Sequence, residues 1–331
     1  MIKSNSLAGR RILLIVAGFF GYDKEIVKRL KARGADVTVY EDRPSTTTTS
    51  KILNRLHPAL VSGAASRYLD YILLQCRGKT FDDIVVIKGE SFTPPLLKRL
   101  FEAFPGARTT FYMWDSFRNS KGARAKLSLF DRCFSFDPYD VAETKGLKLR
   151  PLFFVPSYTR QVEVQQDIDM LFVGTVHTDR YAVLKRFVSK LPNSINTCFY
   201  LYFPAKIIYN VRRILDPQFW GAKKEEFNFT PLSHDENARL YARTRAVIDI
   251  ERVIQKGLTM RTFEVLASGK KLITTNKSIL TSGLYDPSNV CVIDRQSPVL
   301  PPGFMGSPFK PLPPDVLYRY SLDGWIDDVF L

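Results

Sequence analysis

Two short runs of mainly apolar residues, Ile12–Ala17 and Ile168–Val173, constrain this chain more than anything else in it. Each is followed at once by a glycine-containing turn: Gly18-Phe19-Phe20-Gly21-Tyr22 in the first case, Gly174-Thr175-Val176-His177-Thr178-Asp179 in the second. A strand covered on both faces reads as a continuous apolar run rather than as an alternation. Helical spacing follows each turn, over Lys24–Arg33 and over Arg180–Lys190. Strand, glycine turn, helix and strand make the opening of a βαβ unit, so each run starts a parallel sheet with helices on its faces. The fold class is therefore α/β, in two series.

In the first series Asp23 is placed to cap the helix that Gly34 ends, and Asp36–Tyr40 is the next strand. Ile52–Cys76 has mixed helical spacing and reads as two helices broken near Pro58 or Gly63. Asp83–Lys88, Thr109–Trp114 and Cys133–Phe136 are further strands, and Pro94-Pro95 opens a helix between them. In the second series the strands are Thr197–Tyr202, Ala246–Ile250 and Val290–Ile293, with helices at Ala205–Ile214 and Asp235–Arg243. Gln161–Asp167 is polar, without apolar periodicity, and reads as the linker. The expected domains are 1–160 and 161–310, both Rossmann-like. Residues 311–331 are expected to be a C-terminal helix that packs back on the first domain.

Composition narrows the function classes. With 45% hydrophobic and 24% charged residues in 331, the chain is globular rather than disordered. No apolar run reaches the length that crosses a bilayer. Cys76, Cys133, Cys198 and Cys291 are scattered, with no CxxC pair, so the common zinc spacings and a disulfide framework are both excluded. Reduced thiols and a cytoplasmic location are the expectation. The net charge of +15 calls for an anionic partner, namely a phosphorylated ligand, an acidic membrane surface or nucleic acid. The basic residues form no long block, so nucleic acid is not expected. Phe199–Arg213 mixes aromatic residues with a basic end. It reads either as a core strand with a core-facing helix, or as a segment lying at the inner face of the membrane.

Ligands of parallel α/β sheets bind outside the carboxyl ends of the strands. A cleft between the two series would collect Gly18–Tyr22, Gly89-Glu90, Asp115-Ser116, Gly174–Asp179 and Gly257–Glu264. Within Gly257–Asn276 the order is loop, short helix, glycine stop and buried strand, and such a helix start can hold a phosphate. Gly18-Phe19-Phe20-Gly21 lacks the GxGxxG spacing, which argues against an NAD-type oxidoreductase.

Four stretches resemble one group of enzymes. Thr259-Met260-Arg261-Thr262-Phe263-Glu264-Val265-Leu266-Ala267-Ser268-Gly269 resembles a helix of GT-B glycosyltransferases, in particular the CgeB-like and bacterial lipopolysaccharide or capsule biosynthesis group. Tyr112-Met113-Trp114-Asp115-Ser116, Asp169–Thr175 and Tyr320–Trp325 are similar to other stretches of that group. The resemblance implies a GT-B fold with two Rossmann-like domains facing across a cleft. It also implies a nucleotide-sugar donor site in the second half and an acceptor site in the first, for a surface polysaccharide or a lipid-linked glycan. Glu264 matches the position that holds the ribose hydroxyls. The second glutamate of the wider pattern is absent, since Gly257 stands seven residues earlier.

The chemistry then assigns candidates. Arg261 and the N–H groups of Leu258–Met260 face the diphosphate, where negative charge develops on the leaving group. Gly174, Thr175, His177 and Arg180 approach from the other side, and Gln255, Gly257, Leu258 and Thr259 complete the donor set. Asp115 is the leading base and Glu90 the alternative. Gly18, Phe19 and Tyr22 are the candidate acceptor residues. Asp167-Ile168-Asp169 and Asp249-Ile250-Glu251 look like the Asp-x-Asp metal motif, but enzymes of this fold typically work without a metal, so neither a metal nor a cofactor is expected. The alternative reading is a non-enzymatic nucleotide or polyanion binder driven by charge.

Overall fold

The computed structural model describes residues 5–43, 58–120, 122–159 and 164–331. It divides into two units, Met1–Pro151 with Leu322–Leu331, and Leu152–Ser321.

The first unit carries strands β1 (Arg11–Val16), β2 (Asp36–Glu41), β3 (Asp83–Ile87), β4 (Arg108–Met113), β5 (Arg132–Ser135) and β6 (Lys148–Leu149). Its helices are α1 (Tyr22–Ala32), α2 (Pro58–Gln75), α3 (Pro94–Ala103) and α4 (Pro138–Ala142). The sheet order is β2-β1-β3-β4-β5-β6, with every pair parallel. From β1 the chain adds β2 on one side, then crosses to add β3 on the other. The order reverses between β1 and β3, and their carboxyl ends border the crevice that such a reversal opens. Both strands lie under helices, which is why Leu13, Ile15, Ile84 and Val86 are fully buried.

The second unit carries β7 (Ile168–Thr175), β8 (Thr197–Tyr202), β9 (Phe227–Asn228), β10 (Thr244–Asp249), β11 (Lys271–Thr274) and β12 (Val290–Val292). Its helices are α5 (Arg180–Val188), α6 (Lys206–Leu215), α7 (His234–Ala242), α8 (Met260–Ala267) and α9 (Pro314–Tyr320). The order is β12-β11-β10-β7-β8-β9, again all parallel. Here the reversal lies between β7 and β10.

The last helix, α10 (Leu322–Phe330), belongs to the first unit. Arg29 on α1 makes a two-pronged pair with Asp323, both contacts at 2.7 Å. Arg33, 1% exposed, donates to the Asp323 carbonyl at 3.1 Å and pairs with Asp327. The Trp325 ring stands edge-on to Tyr112 at 5.0 Å. A buried guanidinium needs such partners, because stripping its water without replacing the hydrogen bonds is costly.

Local chemistry corrects several expected boundaries. Gly21, at φ 85°, takes the cap position of α1, while Asp23 lies in the first turn and accepts the Phe19 N–H at 3.3 Å. The helix expected to break near Gly63 runs unbroken from Pro58 to Gln75, whereas residues 51–57 lie outside the described set, as does His57. The tail is divided at Ser321, whose extended backbone (φ −76°, ψ 161°) forms a bridge to Phe154. Lys88, at φ 67°, ends β3 one residue early.

Helix α8 ends as its glycine suggests. Gly269 sits at φ 69°, its N–H reaching Leu266 O at 3.2 Å, and the Lys270 N–H reaches Val265 O at 3.1 Å. That pair of bonds closes the helix end and delivers the chain into β11. Gly269→Ala is expected to destabilise the second unit by roughly 1 kcal/mol, since a Cβ is disfavoured in the left-handed region. A lower urea midpoint with unchanged m-value is the measurement.

Candidate functional site

In the second unit the site is built on Asp249, the last residue of β10. It is fully buried. Its Oδ2 accepts the hydroxyls of Thr259 at 2.6 Å and Thr262 at 3.2 Å, and its Oδ1 accepts Arg261 Nη1 at 2.9 Å. The Thr259 hydroxyl also caps α8, accepting the Thr262 N–H at 3.3 Å. One carboxylate therefore fixes the start of α8 and the direction of the Arg261 side chain. Burial opposes the charge on Arg261, but Asp249, Tyr241 and Glu264 outweigh it and raise its pKa.

The Arg261 guanidinium lies over the end of β7. A Cβ at Gly174 would come within 3.0 Å of Arg261 Nη2 and 3.2 Å of Phe172 Cζ. The Phe172 ring centroid is 5.6 Å from the guanidinium carbon, within cation–π reach. A side chain at 174 would need Arg261 or Phe172 to give by a few tenths of an ångström.

Three more arginines converge on the turn after β7. Arg180, 8% exposed, donates from Nε to Ile250 O at 2.5 Å and from Nη1 to Thr175 O at 3.0 Å, tying the two loops together. Arg212 of α6 reaches Val176 O at 3.3 Å. Arg252, exposed, donates from Nε to His177 Nε2 at 3.4 Å. His177 Nδ1 faces the Thr178 hydroxyl at 3.3 Å, and that hydroxyl donates to the His177 carbonyl at 2.7 Å. These contacts fit the tautomer with its proton on Nδ1. Burial, then Arg180, Arg252, Arg212 and Arg261, push the His177 pKa down to about 2. The imidazole is thus neutral, and among the described residues the acids acting on these cations are Asp249, which pairs with Arg261, Glu264, which also acts on Arg261, and Glu251, which acts on Arg180 and pairs with Arg295. Such a cluster at a sheet reversal is a place for an anion.

The neighbouring loop is pinned separately. Arg295 pairs with Asp179 at 2.7 Å and with Glu251 at 2.9 Å, and Glu251 also accepts the Thr275 hydroxyl. The Gly257 carbonyl accepts Gln255 Nε2 at 3.3 Å and Asn276 Nδ2 at 3.1 Å. Glu264, 3% exposed, lies one turn along α8 near the buried Tyr158 and Tyr241, whose pKa values burial and Glu264 both raise.

In the first unit a second group forms at the ends of β1, β3 and β4. Lys88 Nζ stands between Glu90 Oε1 at 2.8 Å and Asp115 Oδ2 at 3.1 Å. Glu90 also pairs with Arg43, and its N–H donates to the buried Asp42 at 3.0 Å. Asp115 Oδ1 accepts the Ser116 N–H at 3.0 Å and Asn119 Nδ2 at 2.8 Å. Below them Lys126, 4% exposed, donates to Gly89 O, and burial lowers its pKa to about 8 against the pull of Asp42. The Gly18 N–H donates to Glu41 Oε2 at 2.9 Å. Phe19, 45% exposed, contacts Phe20, Tyr22 and Trp114 with ring centroids 4.9, 6.1 and 5.8 Å away.

No family model and no curated protein sequence matches this chain. Solved structures do match over nearly its whole length. Sucrose-phosphate synthase from Thermosynechococcus elongatus superposes with a TM-score of 0.58 at 12% identity, covering 97% of this chain and 95% of that one. HepE from Anabaena, solved with UDP and glucose, gives 0.57 at 10% identity, covering 97% and 98%. A UDP-GlcNAc 2-epimerase from Methanocaldococcus jannaschii, solved with UDP-GlcNAc and UDP, gives 0.51 at 10%, covering 86% and 89%.

The chain has the GT-B fold.

Within this GT-B chain the expected donor residues fall into three groups. Gly174, Thr175, His177, Arg180 and Arg261 come together at the β7–β10 reversal. Gln255, Gly257, Leu258 and Thr259 form the loop that leads into α8, and Glu264 lies deeper in that helix. Arg180 is largely spent on two backbone carbonyls, so it acts as a strut as well as a charge. Asp115 and Glu90 are joined through Lys88, and Gly18, Phe19 and Tyr22 lie on the neighbouring strand end. The residues that sequence reasoning missed are Lys88, Arg212 and Arg252, and Asp249 in its role as anchor. Asp249 and Glu251 had been weighed as a metal motif. Here they serve Arg261 with two threonines, and Arg295 with Thr275, respectively. Only the position of Arg252, just ahead of the Gly257 loop, was a usable signal.

Burial and then the surrounding cations hold His177 neutral, so a bound anion offsets the cations and raises its pKa. The Cε1 proton resonance of His177 is expected to stay at the neutral value from pH 8 to pH 5 in the free protein, and to titrate at a higher pH with pyrophosphate than without it. Titration of the free protein near the ordinary histidine value would contradict the packing described.

Proposed function

We propose that the chain is a glycosyltransferase that moves a sugar from a nucleotide-sugar donor to a surface-glycan or lipid-linked acceptor. The observation that carries this reading is the convergence of Arg180, Arg212, Arg252 and Arg261 on the neutral His177 at the sheet reversal of the second unit. Transfer from a nucleotide sugar breaks the bond between the anomeric carbon and a diphosphate oxygen. Negative charge grows on that oxygen, and positioned cations that need no reorganisation stabilise it most. On this reading Arg252, Arg212 and Arg261 meet the diphosphate, with Gly174, Thr175 and the Gly257–Thr259 loop as walls. They supply the countercharge that a divalent ion supplies elsewhere, so the reaction needs no metal. Glu264 accepts from the ribose hydroxyls. HepE and the epimerase were each solved with uridine nucleotides, which supports a nucleotide-sugar partner for the same fold.

Asp115 is the base that removes the acceptor hydroxyl proton, with Glu90 as the alternative. Lys88 links the two carboxylates and sets where each oxygen points. The exposed Phe19 ring beside Trp114 and Tyr22 offers an apolar face on which a sugar ring stacks. The proton passes from the acceptor hydroxyl to Asp115, the acceptor oxygen bonds to the anomeric carbon, and the nucleoside diphosphate leaves. A requirement for an acceptor separates this reading from epimerisation, which needs none and leaves the sugar on the nucleotide.

The choice of variant matters. Removing Arg261 leaves a buried Asp249 without its cation, and such a loss costs roughly 3–5 kcal/mol of fold stability. Arg252 is exposed and makes no ion pair among the described residues, so Arg252→Ala tests the site cleanly. It is expected to weaken nucleotide binding about tenfold or more, as charge-assisted hydrogen bonds are worth roughly 1.5–3 kcal/mol, at unchanged melting temperature. Glu264→Gln is expected to weaken it comparably through the ribose. Calorimetry with UDP, GDP, CMP and dTDP sugars gives both results, and unaltered affinity in both variants would remove the donor assignment.

Asp115→Asn is expected to retain donor binding while lowering turnover by about a hundredfold or more, the usual scale for a lost general base. Full activity would pass the role to Glu90.

A further inference from the structure

Helix α6 (Lys206–Leu215) turns the wrong side outward for a helix of a water-surrounded protein. At 100° per residue, Ile207, Ile208, Val211, Ile214 and Leu215 share one arc of roughly 120°. That arc faces solvent. Ile207 is 65% exposed, Val211 48%, Ile214 73% and Leu215 74%. Trp220, just beyond the helix, is 67% exposed, and its indole N–H donates to Ile214 O at 3.4 Å, which holds the ring beside the helix end. The opposite side of α6 makes the contacts to the core. There Tyr209 is buried against Phe203 and Phe227, and Arg212 reaches Val176 O.

The charge around this face is mainly positive. Lys206, Arg213, Lys223 and Lys224 are all exposed. The nearby carboxylates are mostly occupied: Asp216 accepts the Gln218 N–H at 3.2 Å, and Glu226 accepts the Tyr181 hydroxyl at 2.8 Å with Lys185 at 3.8 Å. Glu225 is exposed and Asp216 keeps its charge, so two acids offset part of the four cations. An apolar arc flanked by lysine and arginine, with a tryptophan at its edge, matches the interface between lipid headgroups and acyl chains. A second copy of the chain suits it poorly, because a two-fold contact would set these cations against themselves.

We propose that α6 and Trp220 seat the second unit on an anionic lipid bilayer. Ile207, Val211, Ile214, Leu215 and Trp220 enter the acyl boundary, and Lys206, Lys223 and Lys224 meet the lipid phosphates. The same short helix presents Arg212 to the cationic site from its other side, so lipid contact and the anion site share one element. The seating does not depend on the transfer reading.

The test uses the full chain with two vesicle preparations, phosphatidylcholine alone and phosphatidylcholine mixed with phosphatidylglycerol. Sedimentation is expected to show binding to the mixed vesicles, weaker binding to the neutral ones, and release by salt. The tryptophan emission shifts to the blue on binding, and the shift is lost in Trp220→Phe. The double variant Ile214→Asp, Leu215→Asp is expected to lose affinity for mixed vesicles about tenfold or more, while keeping its melting temperature and its calorimetric response to UDP. Equal vesicle binding by the double variant would overturn the proposal. So would a wild-type dimer, seen by light scattering, that the double variant converts to monomer without any vesicle binding by either.

Discussion

The second unit depends on a buried carboxylate. Asp249 lies at the end of a central strand where water cannot reach it, and a charge there survives only with full partnering. Thr259, Thr262 and Arg261 provide that partnering, and all three come from one turn of the same segment. The consequence is geometric. The start of α8 is locked to β10, and the arginine is drawn across Gly174 onto the ring of Phe172. Remove the carboxylate and the threonine orientation and the guanidinium position lose their cause together.

Sheet order explains why the functional groups gather where they do. In each unit the chain adds strands in one direction and then reverses, once between β1 and β3 and once between β7 and β10. The loops leaving those strands must diverge to opposite faces, which opens a crevice at their carboxyl ends. The first unit fills its crevice with carboxylates bridged by Lys88 and with exposed aromatic rings. The second fills its own with arginines around a neutral histidine. Those contents differ as base and leaving-group sites should, which is the physical basis of the proposed reaction. The excess positive charge is then spent in two places, at this crevice and around the outward face of α6.

Much of the fold was legible. The continuous apolar runs gave β1, β3, β7 and β10 to within a residue or two, because strands buried on both faces admit little else. Gly34 and Gly269 marked helix ends through their left-handed backbone, at φ 92° and 69°. The site was partly legible. Gly174, His177, Arg180 and Arg261, singled out because they follow strands or open a helix, lie together at the end of β7. Lys88 was missed because it read as the last residue of a strand, whereas its backbone at φ 67° takes it out of the sheet and between two carboxylates. Arg212 was missed because it lies on a helix distant in sequence, with no turn or motif beside it. The segment around α6 had left two readings open, and exposure of Ile214 and Leu215 decided that its apolar side does not face the core.

By itself, then, the sequence determined which segments are strands, where the chain turns and that two parallel α/β series follow one another. Those are properties of local periodicity and of residues such as glycine and proline, whose backbone preferences act within a few positions. Only the tertiary structure decided that Asp249 anchors Arg261 and two threonines, and that four arginines from four elements surround one imidazole. It alone showed which side of α6 is wet. Pairing of charges across long sequence separations depends on strand order and burial, and neither is encoded in the spacing of the residues that finally meet.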